Sequence, residues 1–295
     1  MKPVLAKVRD TRPLLHVLKR GAIAVAFVLP VAGCLPPEPA RITGTPQSSP
    51  ASEAMKRGAE AHSRQDWDSA IKEFTEAVRL NPGLAEAYNN RGFCYYKKGD
   101  PGRAINDLTE AIRLKPTFAE AYNTRGLAYV DRGEPDKAIP DITEAIRLKP
   151  GYAEAYCSRG FAYVNKGEAD KAICDHSEAI RLKPDYVEAH MGRGNAFVLG
   201  GELDKAIEDY TEAIRIKPDC TDAYTTRAAV HWKRGKTEKA ISDCNRAIQI
   251  QPSAANAYLV RAAVYRTMGK EVEADEDASR AEKLAAPPRD TNNNR

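Results

Sequence analysis

The chain reads as all-α: seven copies of one antiparallel helix pair, stacked into a continuous array. Two observations predict this. Proline recurs at Pro82, Pro116, Pro150, Pro184, Pro218 and Pro252, and glycine at Gly99, Gly133, Gly167, Gly201, Gly235 and Gly269, each series stepping by 34 residues without insertion. A fixed period of this length marks one supersecondary unit copied many times. Within each copy, apolar residues recur at helical spacing in two runs, with no strand alternation. Such units cannot bury their apolar faces alone. The 295 residues therefore specify one stacked core rather than two globular domains.

Taken in order, residues 1–33 have the layout of a secretory signal. A basic stretch (Lys2, Lys7, Arg9, Arg12, Lys19 and Arg20 against Asp10) precedes an apolar run at 21–33 that is too short to span a bilayer. Its end, Val31, Ala32, Gly33 and Cys34, resembles the lipobox of bacterial lipoproteins, although that family usually has Leu where Val31 stands. The resemblance implies cleavage before Cys34, lipidation of its thiol, and a lasting membrane anchor from two or three acyl chains. Leu35 after the cysteine, rather than Asp, implies the periplasmic face of the outer membrane. An ordinary cleaved signal and a short uncleaved anchor are the alternatives. Without residues 1–33 the formal net charge of +4 becomes −1, so no basic excess is left to attract nucleic acid. Residues 34–50, rich in Pro, Ser and Thr, read as a tether.

The seven units occupy residues 51–285. In the third, Tyr122, Leu127, Tyr129 and Val130 mark the first helix, and Gly133 stands where a left-handed C-cap is wanted. Pro135 fits the first turn of the second helix, Ala138, Ile139, Ile142, Ala145, Ile146 and Leu148 form its apolar stripe, and Pro150 stops it. Pro140 should remove one backbone hydrogen bond and kink this helix. Glycine inside first helices, at Gly58, Gly92, Gly126, Gly160 and Gly194, predicts a close approach by the second helix, where Ala104, Ala138 and Ala172 recur. In the last unit Asp275 and Glu282 replace apolar residues, which makes a solvated cap. Residues 286–295 read as a disordered tail.

Tyr88, Gly92, Tyr95, Ala104, Leu108, Ala111 and Pro116 of the second unit identify the family: the unit resembles the tetratricopeptide repeat (TPR). The resemblance implies a right-handed superhelix whose first helices line a concave groove for a protein or peptide partner. Carried over position by position, the groove comprises Asn89, Phe93, Tyr96, Asn123, Leu127, Val130, Cys157, Phe161, Val164, Met191, Asn195, Val198 and Trp232, with Glu86, Glu120, Glu154, Glu188 and Asp222 as an acidic rim. An apolar floor with an acidic edge suits a peptide with apolar anchors and basic residues. One departure is systematic. Arg stands where the family has Leu, from Arg57 to Arg261, and each unit adds an acid in its second helix, from Glu73 to Asp277. This predicts a ladder of ion pairs, against the bland reading of solvated surface charges.

No residues remain for a catalytic domain, and no cofactor or metal is implied. Cys174 and His176 point apart on a helix, so His176 reads as a core or boundary residue and not a ligand. The cysteines have no repeated spacing and form no disulfide framework. The expected function is a lipid-anchored scaffold of the bacterial cell envelope. The alternatives are a self-associating assembly platform and, behind it, an enzyme or metal protein.

Overall fold

In a computed structural model of the protein, residues 49–285 are described. The expectations for the leader, for Cys34, for nearly all of the tether and for the tail fall outside the described residues. Fourteen helices among these residues form seven pairs: α1 (Pro50–Ser63) with α2 (Trp67–Leu80), α3 (Ala85–Lys97) with α4 (Pro101–Leu114), and α5 (Ala119–Asp131) with α6 (Pro135–Leu148). Then follow α7 (Ala153–Asn165) with α8 (Ala169–Leu182), α9 (Val187–Leu199) with α10 (Leu203–Ile216), α11 (Thr221–Lys233) with α12 (Thr237–Ile250), and α13 (Ala255–Thr267) with α14 (Glu271–Ala285). Each helix packs most closely on its partner, and each second helix next on the first helix of the following unit, as a solenoid requires.

Local chemistry sets the boundaries. Gly133 leaves α5 at φ 72°, a left-handed conformation that costs a glycine nothing. The first unit has no glycine there, and Gln65 takes φ 58° at the same position. Second helices begin on an acidic residue where the chain allows it. The Asp66 side chain accepts from the Ser69 N–H at 3.1 Å, and that of Asp100 from the Arg103 N–H at 3.0 Å. Pro140 does not break α6, which runs on to Leu148 with the proline on its exposed side.

The core is a column of small residues with a large second-helix side chain at one position of the first five units. Ala104, Ala138 and Ala172 are fully buried. The glycines of the first helices answer a different neighbour from the one expected. A Cβ on Gly126 would stand 2.4 Å from Cγ1 of Ile142, and one on Gly160 2.6 Å from Nε2 of His176. The space is taken by the large side chain of the second helix (Phe74, Leu108, Ile142, His176 or Tyr210) more than by its alanines. The later units show the compensation. Ala228 and Ala262 replace the glycine where Cys244 and Ala278 replace the large residue.

First helices of neighbouring units touch, at α3 with α5, α5 with α7, α7 with α9, and α11 with α13. No comparable contact joins successive second helices among the described residues. The array therefore curves with its first helices on the inner side. At its end, α14 buries only Ala274, Asp277 and Ala281, and exposes Asp275 and Glu282, as a cap should.

Candidate functional site

Every unit forms the expected ion pair between its two helices. Arg91 donates through Nε and Nη2 to both oxygens of Asp107, each at 2.7 Å, and Arg125, Arg159, Arg193, Arg227 and Arg261 bind Asp141, Asp175, Asp209, Asp243 and Asp277 in the same forked way. Arg57 reaches Glu73 by one bond of 2.7 Å. The remaining Nη1 of the forked arginines crosses to the preceding unit. It meets the hydroxyl of Thr75, Thr109, Thr143, Ser177 or Thr211, and in the last unit Oδ1 of Asn245. A tyrosine lies under most of these guanidinium groups, as Tyr122 does under Arg125 at 5.7 Å. The fifth unit differs: His190 replaces the tyrosine, approaching Oδ1 of Asp209 at 3.4 Å and the Pro184 carbonyl at 3.0 Å. This ladder clamps units together and offers nothing to a ligand.

The expected groove residues divide into two sets. Tyr96, Leu127, Val130, Cys157 and Met191 are buried, and so are Asn89, Asn123 and Asn195. Phe93, Phe161, Val164, Val198 and Trp232 are half-exposed and form the accessible part of the inner face. The split follows from curvature, since the inner helices touch and their side chains cover one another. Asn195 accepts from the Tyr210 hydroxyl at 2.7 Å, Asn89 donates to Oδ1 of Asn90 at 3.1 Å, and neither polar atom of Asn123 has a partner. At the N-terminal end an aromatic cluster forms from His62, Trp67 and Phe93, with centroids 5.2–6.2 Å apart, and Lys97 lies over Phe93 at 5.5 Å.

Three of the five rim acids, Glu86, Glu120 and Glu154, are paired with lysines. Lys115 bonds Glu86 at 3.0 Å and Lys149 bonds Glu120 at 3.2 Å, while Lys183 lies 3.6 Å from Glu154. Each pair joins the first residues of a unit to the end of its own second helix. At these three positions the carboxylates already hold lysines, which leaves Glu188 and Asp222 as the rim acids with no ion pair among the described residues.

His176 is a core residue. It is fully buried with both ring nitrogens unpartnered, edge-on to Phe161 at 5.0 Å. Burial lowers its pKa to about 3, the Arg193 charge adding to the effect and Asp209 opposing it. Cys94, Cys157, Cys174, Cys220 and Cys244 form no disulfide among the described residues; burial pushes Cys94 and Cys244 up to about 12, far from a reactive thiolate.

Sequence reasoning missed one surface. The turns between paired helices lie side by side along one edge, joined by inter-unit pairs of Lys98 with Asp68, Lys166 with Asp136, and Arg234 with Asp204. In the first five units the residue opening the second helix is acidic: Asp66, Asp100, Glu134, Glu168 and Glu202. In the sixth and seventh it is a lysine, Lys236 and Lys270. Comparing copies at that single position would have found it.

Known proteins resemble this arrangement. Models of the family described as tetratricopeptide repeat match residues 85–118 and 221–253, and a model described as TPR repeat matches 58–99, 126–167, 162–200 and 194–235. A tetratricopeptide repeat protein from Parabacteroides merdae superposes with a TM-score of 0.66 at 21% identity, covering 81% of this chain and 94% of that one. The MamA protein superposes with a TM-score of 0.50 at 30% identity, over 58% of this chain and 94% of its own. A thermophilic TPR protein of Thermus thermophilus gives 0.54 at 23% identity, over 61% and 98%. Among curated proteins, Hsp70-Hsp90 organizing protein 1 of Glycine max is 45% identical over 49 residues, 17% of this chain and 9% of that protein. The match thus spans under a tenth of that relative, about the length of one unit and a half.

Proposed function

Because the chain belongs to the tetratricopeptide repeat family, whose scaffold-type fold binds protein or peptide partners, we propose that it holds such a partner against its concave face, as an adaptor anchored in the bacterial cell envelope through a lipid on Cys34. The observation that carries the first half is the inner face itself. Phe93, Phe161, Val164, Val198 and Trp232 keep apolar surface open beside groove residues that are buried. Such residues serve as anchors for an extended segment or a partner helix. The anchor and the periplasmic face of the outer membrane rest on residues 1–35 alone, where a basic flank, a short apolar run and a cysteine follow in the order of a lipoprotein signal. Among the described residues no helix is long and apolar enough to cross a membrane.

Photo-crosslinking in cells from Val164, on the open part of the face, should capture a defined partner, and the same probe at Arg147 on a second helix should not. Capture from both sites alike would remove the groove from the account. Cys34→Ala should release the protein from the membrane fraction uncleaved; an uncleaved variant that stays there would refute lipidation as the anchor. The self-associating alternative has one observation in its favour, Val272, which is 71% exposed on the terminal helix α14. Light scattering that finds a monomer at every concentration excludes it.

A further inference from the structure

Charge on this array is paired almost everywhere along the turn edge. Arg132 and Lys137 share Glu134, Lys166 takes Asp136 and Glu168, Lys171 takes Glu168, and Lys205 takes Glu202. The turn of the sixth unit breaks this rule. Lys233, Arg234, Lys236 and Lys239 follow one another there, all exposed. Arg234 holds Asp204 at 2.9 Å, and no acid lies within ion-pairing distance of the three lysines among the described residues. Lys236 also occupies a helix N-cap, where the backbone dipole favours an acid and disfavours a cation, and unlike Lys270 at the same position of the seventh unit, which lies 3.8 Å from Glu273, it has no acid partner among the described residues. Local rules are broken most often at functional sites, which makes this turn a candidate surface.

Two exposed apolar side chains flank this turn. Leu199, the last residue of α9, is 47% exposed, and Met268, just past α13, is 40% exposed. Between them lies the half-exposed indole of Trp232, whose Nε1 donates to Thr267 Oγ1 at 3.3 Å, so the ends of α11 and α13 are adjacent. The basic edge is continuous with the concave face through this tryptophan. We propose that the turn edge of the sixth unit, centred on Lys233, Lys236 and Lys239, receives an acidic segment of the partner protein that occupies the concave face. The inference rests on the groove reading and gives its partner a chemistry: glutamate or aspartate interspersed with apolar residues. A peptide fits better than a membrane surface. The edge borders a groove rather than a plane, and a chain leaving the groove past Trp232 meets the lysines next.

The test uses the full chain in detergent and a short fluorescent peptide of glutamate and leucine, with a lysine and leucine peptide as its counterpart. Fluorescence anisotropy should show binding of the acidic peptide only, falling steeply with salt. Lys233→Glu/Lys236→Glu/Lys239→Glu should weaken it about 10-fold or more, and the triple change to Gln by less. All three residues are exposed, and an unchanged thermal midpoint verifies the fold. Equal binding of both peptides, or an affinity within about two-fold after charge reversal, overturns the proposal. Binding to phosphatidylglycerol vesicles with none to the peptide overturns it in favour of a lipid surface. Phe93→Ala/Phe161→Ala should leave the peptide's affinity unchanged, while it weakens the partner captured from Val164. Failure of the groove and failure of the edge are thereby read separately.

Discussion

His176 shows how one position can hold a repeat together and still carry a liability. It takes the place of Phe74, Leu108, Ile142 and Tyr210 in other units, filling the space that Gly160 opens. Its ring is also held against Gly192 of the next unit, where a Cβ would stand 2.3 Å away. The native state keeps this ring neutral to about pH 3, whereas the unfolded chain protonates it below about 6.5. Stability should therefore fall as pH drops from about 6.5 towards 3, by at most about 1.4 kcal/mol per pH unit. His176→Phe supplies the side chain used at Phe74 and removes the proton site. Between about pH 7 and pH 5 the wild type should lose roughly 4 °C more of its thermal midpoint than the variant. Equal losses would show that the histidine is not buried neutral. Its burial was legible in the sequence, because one position of the repeat is otherwise apolar. Its contact with two glycines of different units was not, because that depends on how the units stack.

Between helices, the arginine ladder decides the geometry of the pairs. Arg159 and Asp175 keep 18% and 9% of their side-chain surface, between an exposed pair and a sealed one. Removing one partner leaves a half-desolvated charge, which costs about 2 kcal/mol, above a surface pair and below a fully buried one. Asp175→Ala should lower the unfolding free energy by that amount in denaturant titration. Arg159→Met/Asp175→Leu should recover most of it, since apolar replacement removes the desolvation of both charges. A double variant no better than the single one would mean that the fork supplies net stability. The pairing itself was legible, because arginine and acid co-occur in all seven units of one chain. The third bond, from Nη1 to Thr143 of the preceding unit, was not. It joins side chains 16 residues apart across a unit boundary, and a threonine on a helix surface announces no partner.

Over the whole molecule, stability should grade from centre to end. Repeat arrays contact only their neighbours, so terminal units lose half of their interfaces and open first. The cap helix α14 buries Ala274, Asp277 and Ala281 with a neighbouring unit on one side only, whereas α6 buries Ala138, Ile142 and Ala145 between two neighbours. Amide exchange should be fastest in α14, and slowest in α5 to α8, by several orders of magnitude. Uniform exchange across the seven units would indicate a single cooperative block.

The amino-acid sequence by itself determined the number of units, the helix ends, the family and the ladder. Each of these is local or repeats at constant spacing, so every copy confirms the others. Only the tertiary structure decided which inner-face residues remain open. Exposure there depends on curvature, and curvature comes from contacts between units that no single copy contains. That is why Tyr96, Leu127 and Cys157 are sealed while Phe93, Phe161 and Trp232 stay accessible. It is also why the acids Glu86, Glu120 and Glu154 are taken up by lysines at the far end of their own units. Three lysines with no paired acid among the described residues lie on the sixth turn, where departure from the repeat marks a surface rather than a fold.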